Sequence, residues 1–170
     1  MKFSALTAIA VFSTCILFSC RKDEPAPAEK LVGNWSLGTA AIDIKVGDQT
    51  LNQYLVSTGI SPAEALLYTA LVNSTIQSYF TGELQVNEDN TFTWQTSASS
   101  TSFTGTWSVD NDGTELTLNS AMGLGGVFEI TELTATKLNV HSVQNMDPAL
   151  FGIALPSSVS VDITLLFIRD

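Results

Sequence analysis

Apolar and polar residues alternate along most of the second half of the chain. In the run 159–167 (VSVDITLLF), residues 159, 161, 163, 165 and 167 are apolar, and Ser, Asp and Thr stand among the residues between them. This period of two is typical of antiparallel strands that bury one face. Residues 87–90, 110–113 and 123–126 are rich in Asn, Asp and Gly, which favour tight turns. The pattern predicts a meander in which each strand pairs with its neighbour.

One segment before these strands has a helical period instead. Ser61 is suited to cap a helix, Pro62 to occupy its first position, and Glu64 to complete a capping box. Apolar residues follow at helical spacing: Tyr68, Val72, Ile76 and Tyr79, with Leu67 and Leu71 beside them. A shorter helix is expected from about residue 49 to 57. The chain therefore predicts a helical insertion after the first strand region.

Residues 1–19 have the pattern of an export leader. Lys2 supplies the positive end, and an apolar run from residue 5 to 18 follows. That run is too short for a membrane span of about 20 residues, and charged residues 21–24 (RKDE) come soon after it. We expect this leader to be removed, and it takes no part in the predicted fold.

The end of the leader, Leu17-Phe18-Ser19-Cys20, resembles the lipobox of bacterial lipoproteins. The resemblance implies that the Cys20 thiol takes a diacylglyceryl group and that its amine is then acylated by a chain such as palmitate. Several acyl chains together would hold the protein in the bilayer, since a single chain binds only marginally. The alternative is an ordinary signal peptide with an accidental cysteine.

The residues after Cys20 indicate at which membrane, and on which face of it, the protein is expected. Residues 21–24 resemble the lipoprotein export signal of the Bacteroidota, which implies the outer membrane and display at the cell surface; the periplasmic face is the alternative. Residues 20–30 are predicted to form a flexible tether, because they carry prolines and charges but no large apolar side chain. Residues 31–170 are predicted to form one domain. Cys15 leaves with the leader, so this domain has no disulfide.

The charge balance excludes one class of partner. The net charge is −10, and loss of Lys2 with the leader makes it −11. A chain this acidic repels phosphate backbones, so we expect no nucleic-acid partner. Anionic lipid head groups repel it too, and the acyl anchor is the expected attachment to the lipid bilayer.

Two short motifs resemble a known family. Residues 31–35 (LVGNW) resemble the G-x-W of the first strand of lipocalin-like barrels. Residues 105–107 (GTW) and the meander around them resemble lipocalin-like lipoproteins of the Bacteroidota, a group whose function is largely unknown. The resemblance implies a mainly β fold: an antiparallel barrel of about eight strands with the helical insertion. It also implies that Trp35 closes the barrel bottom with Arg169 over it. Alternatively, Arg169 is a solvated terminal residue.

Aromatic residues are the candidates for lining a cavity. On the apolar faces of the strands and at the end of the helix, the set is Tyr79, Phe92, Trp94, Phe103, Trp107 and Phe128. In a small barrel such rings either fill the core or surround a small ligand. The helix can plug the barrel mouth, cover it as a lid, or pack outside.

No catalytic, metal or cofactor site is predicted. His141 is the single histidine, whereas zinc normally takes three or four protein ligands. Nothing in the sequence singles out a nucleophile that would act together with His141. Residues 87–90 and 110–115 lack the spaced ligands of a calcium loop and are interpreted as hairpin turns.

Two functional hypotheses follow for this non-enzymatic lipoprotein. The first is binding of a small apolar or amphipathic ligand in the barrel. The second is a protein–protein interaction module of the cell envelope, with a filled barrel and no small ligand. Its docking surface would be the helix or residues 146–151 (MDPALF), an apolar loop whose simpler interpretation is a turn folded onto the barrel end.

Overall fold

A computed structural model describes residues 25–97, 102–120, 125–146 and 159–169. The predicted leader, Cys20 and residues 147–151 lie outside them. The helices are α1 (Pro27–Leu31), α2 (Leu51–Ser57) and α3 (Pro62–Tyr79). The strands are β1 (Gly33–Val46), β2 (Gln49–Thr50), β3 (Glu83–Val86), β4 (Thr91–Gln95), β5 (Ser102–Val109), β6 (Glu115–Ser120), β7 (Gly126–Leu133), β8 (Lys137–Met146) and β9 (Val159–Arg169).

Eight of these strands close into an antiparallel barrel. Strands β3 to β9 pair in sequence order, and β1 closes the ring by pairing with both β3 and β9. The two residues of β2 form a hairpin with the end of β1. The predicted fold class, a mainly β antiparallel barrel with helices inserted after the first strand, is confirmed.

The core consists of the apolar member of each alternating pair. Strand β9 shows this most clearly, because every second residue from 159 to 167 is buried while those between are partly exposed. Fully burying one Val, Leu, Ile or Phe side chain contributes about 1.5–3 kcal/mol. The five buried residues of this strand therefore contribute substantially to the stability of the core. It is paired along both edges, with β1 and with β8.

The helical insertion begins as predicted. Ser61 and Glu64 form a capping box, and Pro62 is the first residue of α3. Helix α2 also has a capping box, from Thr50 and Gln53. The predicted start of α2 at about residue 49 is two residues too early, because residues 49–50 continue the chain as β2 before Thr50 caps the helix.

Helix α1 differs from the sequence prediction. Residues 27–30, assigned to the flexible tether, belong to this helix. Pro27 pre-sets the first helical position. Leu31 is fully buried at the other end of the helix, and Ala28 packs against the same core. The burial of Leu31 and the packing of Ala28 therefore order a short charged segment.

The predicted hairpin turns at residues 87–90 and 110–113 are present. Asp110 organises the second one: its carboxylate accepts hydrogen bonds from the Thr114 hydroxyl (2.7 Å) and from the backbone N–H groups of Thr114 and Glu115. These bonds stabilise the ionised form, so the pKa of Asp110 lies below its ordinary value. Thr91 lowers the pKa of Asp89 in the first turn in the same way.

Candidate functional site

Trp35 and Arg169 are in contact at one end of the barrel. The guanidinium carbon of Arg169 lies 4.3 Å from the centre of the Trp35 ring. The Trp35 indole N–H donates to the Leu31 carbonyl at 2.7 Å, and Arg169 Nη2 donates to the carbonyls of Lys30 and Val32. The contact implied by the lipocalin resemblance is therefore present, and it joins the last strand to α1 and β1.

Helix α2 and the start of α3 lie towards the other end of the barrel. Strand β1 starts beside Arg169 at Gly33 and runs to Val46, where β2 and α2 follow. We call the end with Trp35 the closed end and the end reached at Val46 the helical end. The chain enters the domain at the closed end, through α1. Helix α1 therefore lies opposite to the start of the helical insertion.

Helix α3 has a barrel-facing stripe. Ala65, Val72 and Ile76 are buried in one cluster with the barrel core. Thr69 and Asn73 fall on the same stripe, because they stand three or four residues from those positions. Both are only partly exposed. The barrel-facing stripe is thus short of apolar side chains and contains two polar ones.

Three polar atoms of the helical insertion are buried without a partner. Thr69 Oγ1, Asn73 Oδ1 and Asn52 Nδ2 form no hydrogen bond within the described residues. Buried polar groups are usually paired with protein atoms, ordered water or an ion, so each exception needs a physical explanation. Each such atom costs about 1–3 kcal/mol. We call Asn52, Thr69 and Asn73 the polar trio.

The aromatic residues predicted to line a cavity lie in different places. Phe92, Trp94, Phe103, Trp107 and Phe128 are all buried in the core. Trp94 packs edge-on against Phe80 (5.9 Å between ring centres) and Phe167 (5.4 Å), and its indole N–H donates to the Thr81 carbonyl. Tyr79, by contrast, is 48% exposed and does not join this set. Whether the buried rings surround a ligand stays a prediction.

His141 lies on the barrel exterior between two carboxylates. Its Nε2 is 2.9 Å from Asp162 Oδ1, and its Nδ1 is 3.8 Å from Glu129 Oε2. The neighbouring Ser142 points inward and donates to the Val127 carbonyl, so it cannot act with His141 as a nucleophile. Within the described ranges, no group of three or more His, Cys, Asp or Glu is placed to hold a metal ion. The absence of catalysis stays a prediction.

A surface cleft opens where β1 and β3 part. Its volume is about 610 Å³, and its walls include Ser36, Leu37, Glu83 and Gln95. None of the predicted aromatic residues lines it. A second cleft of about 420 Å³ surrounds His141 on the exterior. The first is lined largely by polar surface and the second equally by polar and apolar surface, unlike the mainly apolar pockets typical of small-molecule sites.

The sequence interpretation missed the polar trio and assigned the helix face incorrectly in part. Of the predicted stripe, Val72 and Ile76 are buried, whereas Tyr68 and Tyr79 are exposed. Apolar residues surround much of α3, so its pattern alone does not fix which side meets the barrel. The one available signal was Thr69 and Asn73 standing at helical spacing from Ala65 and Ile76.

No protein-family model matches the chain, and no curated protein matches it significantly. None of the described helices is both long enough and apolar enough to cross a membrane.

Proposed function

We propose that the chain is a lipid-anchored lipoprotein of the outer membrane, similar to the lipocalin-like lipoproteins of the Bacteroidota, that binds a small uncharged amphiphile beneath its helical insertion. The observation that carries the ligand proposal is the polar trio, whose three polar atoms are buried without hydrogen-bond partners. A guest with hydroxyl or amide groups would pair with Thr69 and Asn73. Pairing with the guest would remove the cost of burying these atoms unpaired, and this gain would make the binding free energy more favourable.

Buried apolar residues continue the stripe of Thr69 and Asn73 along α3. Val72, Ile76 and Phe80 are buried along the same side of the helix and its C-terminal cap, and Phe80 meets the edge of Trp94. The acyl or alkyl part of a guest would contact these side chains as α3 shifts to admit it. Each buried CH₂ group contributes about 0.8 kcal/mol. A short chain would therefore supply most of the affinity, and the head group would supply the specificity.

The charge of the insertion determines the class of head group. Residues 51–79 contain one carboxylate, that of Glu64 at the start of α3, and no Lys, Arg or His. The cation that precedes them in sequence, Lys45, is half-exposed and lies 3.7 Å from Asp43. A buried carboxylate or phosphate needs a partner of opposite charge. The insertion offers none, so an uncharged head such as a glycerol, alcohol or amide fits best.

The anchor proposal rests on the sequence around Cys20 and on where the domain begins. Helix α1 starts at residue 27 at the closed end, so the acyl chains would lie below that end and the helical end would face away from the bilayer. The mass of the protein extracted from its own membranes tests this directly. We expect residues 1–19 to be absent and acyl groups at Cys20. An unacylated mature protein would contradict it.

The ligand proposal is tested by native mass spectrometry of residues 21–170, exported in the source cells behind an ordinary cleavable leader and purified without detergent. We expect a reproducible adduct with the mass of a neutral lipid. The double variant Thr69→Val/Asn73→Leu should lose the adduct, and Thr75→Val, on the outer side of α3, should keep it. An apo mass for the wild-type chain, or an adduct that the double variant retains, would reject the proposed site.

A further inference from the structure

The side of α3 that faces away from the barrel carries large apolar residues. Leu66 is 63% exposed, Leu67 72% and Leu71 63%. Leu67 and Leu71 stand one turn apart on the same face, and Leu66 lies about 100° around the helix from Leu67. Ala63 and Ala70 are exposed beside them. We call Leu66, Leu67 and Leu71 the leucine face.

The leucine face is a group of three large apolar side chains that are exposed on one helix. The buried stripe contains Thr69 and Asn73 with unpaired polar atoms, whereas three leucines face solvent. Scattered exposed apolar residues need no explanation, but a contiguous group of large ones marks an interaction surface. A ligand beneath the helix would not cover it, because it lies on the opposite side of α3.

The bilayer that holds the anchor is a poor occupant for this face. The leucines lie in the first half of α3, near the helical end, whereas the tether leaves from the closed end. Strand β1 has 14 residues between the two ends, which places them about 30 Å apart for a tilted strand. The net charge of −11 after leader removal also repels anionic lipids.

A second copy of the chain is disfavoured on two grounds. Each copy carries the same strong negative charge, so two copies repel each other. A stable dimer also buries about 800 Å² on each partner, from roughly 20–30 residues, and three leucines with their two flanking alanines supply far less than that. A partner that encloses the helix in a groove gains contacts on both sides of the leucines.

We propose that the leucine face docks into an apolar groove on a positively charged protein. In this mode of recognition an amphipathic helix inserts side chains spaced about one turn apart, as Leu67 and Leu71 are. The acidic domain would attract a basic partner and raise the rate at which the partner's groove meets the leucine face. The surface and the amphiphile site use opposite sides of α3, so they are separable by substitution.

The test starts in cells with the complete acylated protein. A photo-crosslinking amino acid is placed at position 67 and, as a control, at Val143, which is 60% exposed on β8. We expect a discrete protein adduct at position 67 that the control lacks. The adduct is identified, and the partner is purified for binding measurements in solution.

The binding measurements compare two variants with the wild type. Replacing Leu66, Leu67 and Leu71 with Gln should weaken binding about 100-fold or more, since anchor residues dominate such interfaces. Val143→Gln should bind as the wild type does. Affinity should fall as salt rises. The triple variant should keep its melting temperature and its amphiphile binding, which separates loss of docking from loss of the fold or of the ligand site.

Four results would overturn the proposal. The first is no adduct at position 67 beyond that at 143. The second is an adduct between two copies, with a concentration-dependent dimer that the triple variant abolishes. The third is flotation with vesicles of phosphatidylethanolamine and phosphatidylglycerol that needs the leucines. The fourth is a partner whose affinity is unchanged in the triple variant.

Discussion

Arg169 stacks its guanidinium over the ring of Trp35, with 4.3 Å between the guanidinium carbon and the ring centre. The residues stand opposite each other in the pairing of β1 with β9. The same guanidinium holds α1 through the carbonyls of Lys30 and Val32. One side chain thus connects the entry of the chain, its first strand and its last strand.

Removing this side chain should destabilise the closed end. Arg169→Ala should lower the free energy of unfolding by about 2–4 kcal/mol, from the lost cation–π contact and the charged hydrogen bonds. The free energy of unfolding of Arg169→Lys should lie between those of the wild type and Arg169→Ala, because an ammonium group cannot reproduce the planar contact. Lys137→Ala, exposed at the same end, is the control. Urea unfolding measures all three, and an Arg169→Ala midpoint equal to that of the control would contradict the closing role.

Gly105 is required for a close approach of two strands. A Cβ at this position would lie 2.0 Å from the Asn119 carbonyl oxygen and 2.8 Å from the Phe92 ring. Gly105→Ala should therefore cost about 3 kcal/mol or more, through overpacking. Gly47→Ala is the matched control, since it meets no atom within 4 Å and carries only the strain of its positive φ, about 1–2 kcal/mol. Equal thermal stability of the two variants would refute the predicted crowding.

Thr69 and Asn73 should limit the stability of the ligand-free protein. Thr69→Val removes an unpaired buried hydroxyl while keeping the shape of the side chain, and should raise the free energy of unfolding by about 1 kcal/mol. The hydroxyl of Thr75 bonds to the Leu71 carbonyl at 2.9 Å on the outer side of the helix, so Thr75→Val should bring no gain. Differential scanning calorimetry of the ligand-free proteins measures the stability of both variants against the wild type. A loss of stability in Thr69→Val would mean that the hydroxyl is paired.

Asp110 should contribute to the acid sensitivity of the fold. Its pKa is depressed below the ordinary 3.8, chiefly by the Thr114 hydroxyl. A depressed folded-state pKa gives stability that is full above the unfolded pKa and is lost as the pH falls through the folded one. Asp110→Asn should therefore show a smaller loss of stability between pH 7 and pH 3 than the wild type, whereas Asp112→Asn serves as the control. Parallel curves for Asp110→Asn and the wild type would exclude this contribution.

Strand alternation and turn chemistry were sufficient to predict the antiparallel meander, whereas its closure into a barrel came from the family resemblance. β9 shows why: its alternation is regular, and a slip by one residue would turn Val161, Ile163 and Leu165 outward. The position of Arg169 over Trp35 came from the family resemblance and not from the pattern. Residues 27–30 were missed because their order depends on Leu31, a long-range burial that local composition does not show.

The candidate site was harder to predict than the fold. Apolar residues lie on both sides of α3, so tertiary packing decides whether Leu67 or Val72 meets the barrel. Unpaired atoms such as Asn73 Oδ1 are a property of the packed structure alone. Sequence pattern identifies a helix and its capping box, but it does not identify which polar groups lack partners.

The most direct test of the proposed ligand class is a titration of residues 21–170 with 1-monolaurin, laurate and dodecyltrimethylammonium, each below its micelle concentration, followed by the melting temperature. Monolaurin alone should raise the melting temperature saturably, and Thr69→Val/Asn73→Leu should abolish the rise while Thr75→Val preserves it. Equal responses to the neutral, anionic and cationic compounds, or a response that the double variant retains, would contradict an uncharged amphiphile held by the polar trio.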